Sequence, residues 1–549
     1  MTLDTPDLSL AEVHEAIGAT RPDRECLVFR DRRLTWAQVQ DRTRRLANHL
    51  LDAGHGCHTE RGDLLGHESG QDHLAIYLHN GNEYLEVMLG ALKARVTSLN
   101  VNYRYVAEEL RYLLADSAAT AVVVHSAFAP TLAEVLDEHT TIRTVLQVAD
   151  ESGNDLLPGA VWYEDALSAA SPECPDVEWS PDDLYMLYTG GTTGMPKGVM
   201  WRNGDAMRAC FGGSPTARTV DEFVAEATTG LKALIGPPFM HGAGHWIAFR
   251  TWLGGGTVFV PSVPERLDPA DVWATVEREQ LDFLLIVGDA FARPLLDELD
   301  RTAAERDLSS LSVILSGGAA LSAPLKQEFL AHMPTLMVID GLGSSEAGGQ
   351  VSHVSAGGQA STGTFEMTPG NVVLSSDLDA VLDPGSPDIG WLAKTGRLAL
   401  GYLGDPDKTA RTYPIVDGVR YAVPGDRARL LDDAVGGLGI VELHGRDSVT
   451  INSGGEKIFA EEVEAAIKAH PSIYDCVVAG RPSDRWGSEV VAVVRIRPDH
   501  AATDAELLAE AEQHIARYKL PKAIVRVDEI VRSPSGKADY RWARSVATT

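Results

Sequence analysis

Short β-branched runs alternate with amphipathic stretches of helical length along most of this chain, and that alternation constrains the fold more than any other feature. Residues 34–53 (LTWAQVQDRTRRLANHLLDA) and 83–95 (EYLEVMLGALKAR) place apolar side chains at helical spacing between charged ones. Between and after them come AVVVH at 121–125, GTVFVP at 256–261, FLLIV at 283–287 and LSVILSGG at 311–318. Strands alternating with helices predict layered α/β subdomains on mainly parallel sheets. Residues 352–390, dense in Gly, Ser, Pro and Asp, predict a β-rich subdomain of short strands and loops. The pattern changes after Arg446, where FAEEVEAAIKAH and AELLAEAEQHIARY read as helices and CVVAG and VVAVVRIRP as strands with a core of their own. The expected fold class is α/β: a large N-terminal domain at 1–445, a junction at 446–448 and a small α+β domain at 449–549.

Charge narrows the partners. Lys and Arg total 48 against 78 Asp and Glu, a net charge of −30 that opposes nucleic acid and anionic membrane at long range. An anionic substrate therefore needs a local cluster of donors. The five cysteines (Cys26, Cys57, Cys174, Cys210, Cys476) are odd in number, scattered and without a C-x-x-C pair, which fits a reducing, cytoplasmic setting. The acidic start MTLDTPDLSLAEVHEA lacks a signal-peptide pattern, and no apolar run approaches the ~20 residues of a membrane span, so no integral membrane segment is expected. Self-association into a homo-oligomer is left open.

The strongest chemical signal is Tyr188-Thr189-Gly190-Gly191-Thr192-Thr193-Gly194-Met195-Pro196-Lys197-Gly198, set between the apolar segments LYML and VMW. Glycines let backbone N–H groups converge on phosphate oxygens, hydroxyls add donors and Lys197 adds positive charge. Gly198 follows the lysine where an ordinary P-loop has Ser or Thr, so a P-loop NTPase is disfavoured. The stretch resembles the signature loop of the adenylate-forming superfamily of acyl-CoA synthetases, luciferases and adenylation domains, and further segments match that family in order across nearly the whole chain.

The resemblance assigns roles residue by residue. Gly317, Gly318 and Ala319, in SGGAA, would line the adenine and acyl sites. In Asp340-Gly-Leu-Gly-Ser-Ser-Glu346, Gly343, Ser344 and Ser345 would face the nucleotide and Glu346 would be the Mg²⁺ ligand, a carboxylate suited to a hard cation. Leu342 stands where the family usually has an aromatic that stacks on adenine. Asp426 and Arg446 match the ribose-contacting pair. Ser448 takes the hinge position usually held by Asp or Lys, the hinge of a mobile C-terminal domain. Gly454, Gly455, Glu456 and Lys457 resemble the loop that walls the CoA path, and Lys537, in SPSGK, matches the lysine that bridges carboxylate and α-phosphate. His241, Gly242, Ala243, Gly244 and Trp246 fall on the segment that lines the acyl pocket, with His245 beside them and His241 as a gating or positioning residue.

What this implies is an AMP-forming acyl-CoA ligase: a carboxylate attacks the α-phosphorus of Mg·ATP, and CoA then displaces AMP. Thr193, Ser345, Lys537 and Glu346 would stabilise the transition state without a protein nucleophile. The expected cosubstrates are ATP, CoA and a small-molecule carboxylic acid, and the cofactor Mg²⁺. A fatty acyl-AMP ligase that passes its adenylate to a carrier protein, and a non-catalytic nucleotide-binding relative, stay open; an amino-acid adenylation domain is disfavoured because Met240 follows Phe239 where an Asp is usual. The pocket segments HGAGHW and SGGAA are dominated by Gly and Ala, which predicts a bulky apolar acid, and residues 67–105 look similar to ligases of long-chain or steroid side-chain acids.

Overall fold

The computed structural model describes residues 6–189, 195–360, 363–435, 438–453, 456–483, 486–534 and 536–548. The chain forms two compact units: residues 1–285 with 345–348 and 396–413, and residues 286–344 with 349–395 and 414–549.

The first unit is layered α/β. His73–Tyr77 is the second strand of a five-stranded parallel sheet, flanked by Thr97–Asn100 and Ala121–His125, with Thr144–Val148 and Val161–Trp162 beyond. All five residues of His73–Tyr77 are buried, so after His73 the strand carries the apolar run Leu74-Ala75-Ile76-Tyr77 with no polar alternation. Leu110, Leu113, Leu132 and Val135 pack onto the sheet from helices Ala107–Asp116 and Ala129–Leu136. A second parallel set joins Phe283–Ile286, Lys232–Ile235, Thr257–Val260 and Glu25–Phe29, closed at one edge by the antiparallel strand Arg32–Thr35. The predicted helix at 34–53 forms over Trp36–Asp52, where the Thr35 hydroxyl and the Gln38 side chain cap each other's backbone N–H. A third sheet is the hairpin Leu184–Thr189/Lys197–Arg202, to which Gly401–Tyr402 adds a short strand.

The second unit carries an eight-stranded sheet. Val313–Gly317 runs parallel to Met337–Ser344, and the meander continues through Gly348–Ser355, Thr364–Met367, Leu438–Arg446, Asp426–Val435, Gly390–Lys394 and Asn371–Leu374. The Gly/Ser/Pro-rich region thus does form short strands. Residues 449–549 build a separate core, in which Ile458, Val463, Ile467, Val478, Val490 and Leu507 pack between helices and the sheet Ile473–Ser483/Gly487–Ile496/Ala523–Arg526. The helix read from AELLAEAEQHIARY is shorter than its pattern. It spans Asp504–Ala511, after which the chain turns and buries Ile515 and Leu520 in that same core.

Candidate active site

In the first unit Thr189 and Lys197, which flank the Gly/Thr-rich segment, lie opposite each other in register at the end of the hairpin strands. Gly190, Gly191, Thr192, Thr193 and Gly194 lie outside the described residues. Lys197 bonds Asp116 Oδ1 at 2.6 Å, and Tyr188 and Tyr112 donate their hydroxyls to the same carboxylate at 2.9 and 3.1 Å. Burial alone would lower the lysine pKa, but Asp116 and Tyr112 outweigh it and raise it, so Lys197 is held as a cation.

Two asparagines, which the sequence reading missed, hold the His241 segment, and one of them also ties it to this hairpin. Asn100 ends the strand Thr97–Asn100; it donates to the carbonyls of Tyr188 and Met240 at 2.9 and 2.7 Å and accepts the Tyr188 N–H at 2.7 Å. Asn80 accepts the Phe239 N–H at 2.6 Å and donates to the Pro237 carbonyl at 3.1 Å. Both lie at carboxyl ends of parallel strands, the edge where open α/β sheets place ligands. Their only signal is an Asn at or just past the end of each strand segment, HLAIYLHN and TSLN.

His241 stands immediately before helix Gly242–Leu253 and is half-buried, as are Gly242, Ala243 and Trp246; Gly244 and His245 are buried. Burial lowers the His245 pKa to about 4, so the ring is neutral at pH 7. Its Nδ1 lies 2.6 Å from the Phe239 carbonyl, which can only accept, so the network assigns the proton to Nδ1. Nε2 therefore accepts from the Tyr185 hydroxyl at 2.5 Å, and that oxygen accepts from Trp246 Nε1 at 2.7 Å. With both nitrogens engaged, His245 fixes Tyr185 and Trp246 as a wall.

The Ser345–Glu346 turn is also in the first unit. Trp201 Nε1 donates to the Ser345 carbonyl at 2.8 Å and Tyr402 donates its hydroxyl to Glu346 Oε1 at 2.7 Å. Lys408 places its ammonium 3.9 Å from the centre of the Tyr402 ring. Among the described residues no group of three or more His, Cys, Asp or Glu could hold a metal by itself. A single anchored carboxylate nonetheless fits Mg²⁺, which takes one or two carboxylates and completes its shell with substrate phosphates and water.

The second unit holds the remaining predicted residues. Gly317 opposes Gly341 in register, and Gly318 has φ +89°, a left-handed conformation that suits glycine. A Cβ built on Gly318 would lie 3.9 Å from Lys537 Cε, so two motifs far apart in sequence meet here. Leu342, in place of the usual aromatic, packs against the Val351–Met367–Leu430 cluster. Asp340 pairs with the buried Lys326, yet burial outweighs that lysine and pushes its carboxyl up to about 6. Asp426 accepts from Arg446 Nε at 3.2 Å through Oδ1, while its buried Oδ2 has no partner among the described residues. An acceptor left unpaired in a buried position fits a ligand hydroxyl. Gly454 and Gly455 lie outside the described residues; Glu456 is exposed at the start of strand Glu456–Phe459, which also carries Lys457, and Ser448 lies in the short helical turn Asp447–Val449.

A family model for AMP-binding enzymes matches residues 14–378, and one for the AMP-binding enzyme C-terminal domain matches residues 462–537. The chain belongs to the AMP-binding enzyme family. Over the full length of both chains it is 53% identical to the medium-chain acyl-CoA ligase Mig of Mycobacterium avium. It is 40% identical to a medium/long-chain-fatty-acid/3-oxocholest-4-en-26-oate CoA ligase of Mycobacterium tuberculosis, over 98% of this chain and 96% of that one. Its fold matches the anthranilate CoA ligase AuaEII solved with anthranoyl-AMP, at a TM-score of 0.82 and 20% identity over 100% of this chain and 99% of that one.

Proposed function

We propose that this protein is an ATP-dependent, AMP-forming acyl-CoA ligase for medium- to long-chain and other bulky apolar carboxylic acids, working in the cytoplasm. The observation that carries the nucleotide half is the approach of Lys537 to Gly318 in the same unit that holds the unpaired Asp426 Oδ2. The acid half rests on relatives that are 40–53% identical over essentially whole chains and are named for such acids.

In this reading the ribose hydroxyls donate to Asp426, with Arg446 beside it. The family resemblance gives the Thr189–Lys197 segment and Ser345 the phosphates, and gives Lys537 the bridge between the acid's carboxylate and the α-phosphate. Mg²⁺, held by Glu346 when bound, neutralises phosphate charge. A carboxylate oxygen forms the bond to the α-phosphorus and pyrophosphate leaves. The CoA thiolate, entering past Gly454 and Gly455, then attacks the acyl carbon and AMP departs. Positioning and charge neutralisation supply the catalysis, so no enzyme nucleophile is needed. The domains would divide at 1–445, 446–448 as hinge and 449–549, the last rotating between half-reactions.

Pyrophosphate and thioester are to be quantified with acetate, benzoate, octanoate, palmitate and a sterol side-chain acid, each with and without CoA. Thioesters from octanoate, palmitate or the sterol acid support the proposal. Pyrophosphate release without consumption of CoA would convert it to an acyl-AMP ligase, and preference for acetate or benzoate would refute the substrate class.

A further inference from the structure

The helices Gly288–Thr302 and Ala460–Lys468 meet end to end within the second unit. Asp289 sits in the first turn of the former and Lys468 ends the latter. Each charge suits its helix end, anion at an N-terminus and cation at a C-terminus. Lys468 Nζ lies 2.7 Å from Asp289 Oδ2, with the two side chains only 14% and 9% exposed. The other Asp289 oxygen accepts the Ser322 N–H at 2.7 Å, so this carboxylate is fully engaged. A second contact lies about two turns further along the same helix: Tyr474 donates its hydroxyl to Asp297 Oδ2 at 3.3 Å.

Behind Lys468 a polar scaffold reaches the catalytic loop. Tyr474 adjoins Asp475, whose carboxylate is gripped by Arg532 through Nε and Nη2 at 2.8 and 2.7 Å. Arg532 Nη1 donates to the Gly536 carbonyl at 3.0 Å, one residue before Lys537. The loop closes on itself through Ser533 N–H to the Lys537 carbonyl at 2.9 Å. Moving Tyr474 away from helix Gly288–Thr302 therefore carries the Lys537 loop with it, and the helix that ends at Lys468 is tied to the same strand through Glu464, which accepts the Val478 N–H at 2.9 Å.

On the ligase reading given above, we infer that Asp289 and Lys468 form a detachable ion-pair latch that docks segment 449–549 on helix Gly288–Thr302 and so positions Lys537 against Gly318 for adenylation. An ion pair suits a contact that must open in each cycle. Its attraction is largely offset by desolvation, and both ends regain water on separation, whereas an apolar seal of equal area would resist opening. Asp289 and Lys468 are positioning residues; neither is assigned a contact with substrate.

The test compares Asp289→Asn, Lys468→Met, the double variant and Lys468→Arg in two assays, pyrophosphate release and thioester formation from supplied acyl adenylate. Each neutral variant should lose about ten- to a hundredfold in the first assay and stay within about twofold of the parent in the second, because only the docked population falls. The double variant should be no slower than either single one, as expected for two halves of one contact. Lys468→Arg should keep most of the adenylation rate. Equal losses in both assays, or an unchanged adenylation rate, overturn the latch. If the neutral variants do not fold, Tyr474→Phe decides: it must slow adenylation alone, and an unaffected rate overturns the proposal. A parent that releases no pyrophosphate with any acid overturns the ligase reading instead.

Discussion

Tyr402 donates its hydroxyl to Glu346 Oε1 at 2.7 Å, joining the Gly401–Tyr402 strand to the acidic end of the DGLGSSE segment. The bond leaves Glu346 Oε2 for other partners and fixes the direction in which the carboxylate points. Removing a neutral donor from a charged acceptor costs about 1.5–3 kcal/mol, so Tyr402→Phe should slow adenylation about tenfold or more. Glu346→Gln should raise the Mg²⁺ concentration needed for half-maximal pyrophosphate release, since an amide binds a hard cation less well. Adding Tyr402→Phe to Glu346→Gln should cost little further. An unshifted Mg²⁺ titration in Glu346→Gln would place the metal ligand elsewhere.

Lys537→Ala should lower pyrophosphate release by more than ~100-fold, the usual loss for one transition-state donor. Thioester formation from supplied adenylate should survive, because in the proposed role the lysine's charge serves only the step in which phosphate charge develops. Losses of similar size in both half-reactions would remove Lys537 from the adenylation step. Gly318→Ala checks the other side of the contact. A methyl there meets nothing closer than 3.9 Å, so the expected effect is backbone strain at φ +89° and a lower Tm, with no steric block of Lys537.

The strands and the order of the motifs were legible in the sequence because burial on both faces writes unbroken apolar runs and because glycine-rich turns punctuate them. AVVVH at 121–125 is the strand Ala121–His125, buried on both faces up to its last residue, and LSVILSGG contains Val313–Gly317, whose buried positions alternate and whose end the glycines mark. What could not be read was which single polar groups hold the site. Asn80, Asn100 and Tyr402 act through hydrogen bonds to segments 56 to 159 residues away, a geometry with no periodic signature. The sequence places His245 beside the pocket segment, and only the network of Phe239, Tyr185 and Trp246 reveals it as a fully engaged support. The pairing of Lys197 with Asp116 was equally invisible, since Asp116 ends a helix that sequence gives no reason to place beside the loop.

Glu464 makes a pH dependence testable. Burial pushes its carboxyl from an ordinary 4.5 up to about 7, against the opposing pull of Lys468 and the Val478 N–H it accepts at 2.9 Å. Between those values the folded state keeps a proton that the unfolded chain has released. Its contribution is therefore complete below pH 4.5 and is lost as pH rises to about 7, a change of about 3 kcal/mol for a shift of that size. Glu464→Gln cannot titrate and should abolish this slope. Hydrogen-exchange protection of strand Ile473–Ser483 at pH 5 and pH 8 reads the difference. Identical pH profiles in parent and variant would show that Glu464 is ionised in the fold throughout.

Two glycines of the His241 segment should behave oppositely. A Cβ on Gly242 would approach Leu187 Cδ2 and Trp246 Cε2, both at 3.1 Å, which are side-chain atoms able to shift. A Cβ on Gly244 would lie 2.6 Å from the Pro238 carbonyl oxygen, which belongs to a turn that Asn80 pins on both sides. Gly244→Ala should therefore destabilise the protein, with a lower Tm and reduced soluble yield, because backbone must move. Gly242→Ala should fold, but pushes Trp246 and Leu187 into the space proposed for the acyl group. Each methylene that no longer fits forfeits about 0.8 kcal/mol, so kcat/KM for palmitate or a sterol side-chain acid should fall several-fold relative to a short-chain acid such as butyrate. The check is competitive turnover of palmitate and butyrate by parent and variant, with thioesters quantified. A variant that keeps the parental ratio would mean that the acyl chain does not pass this wall.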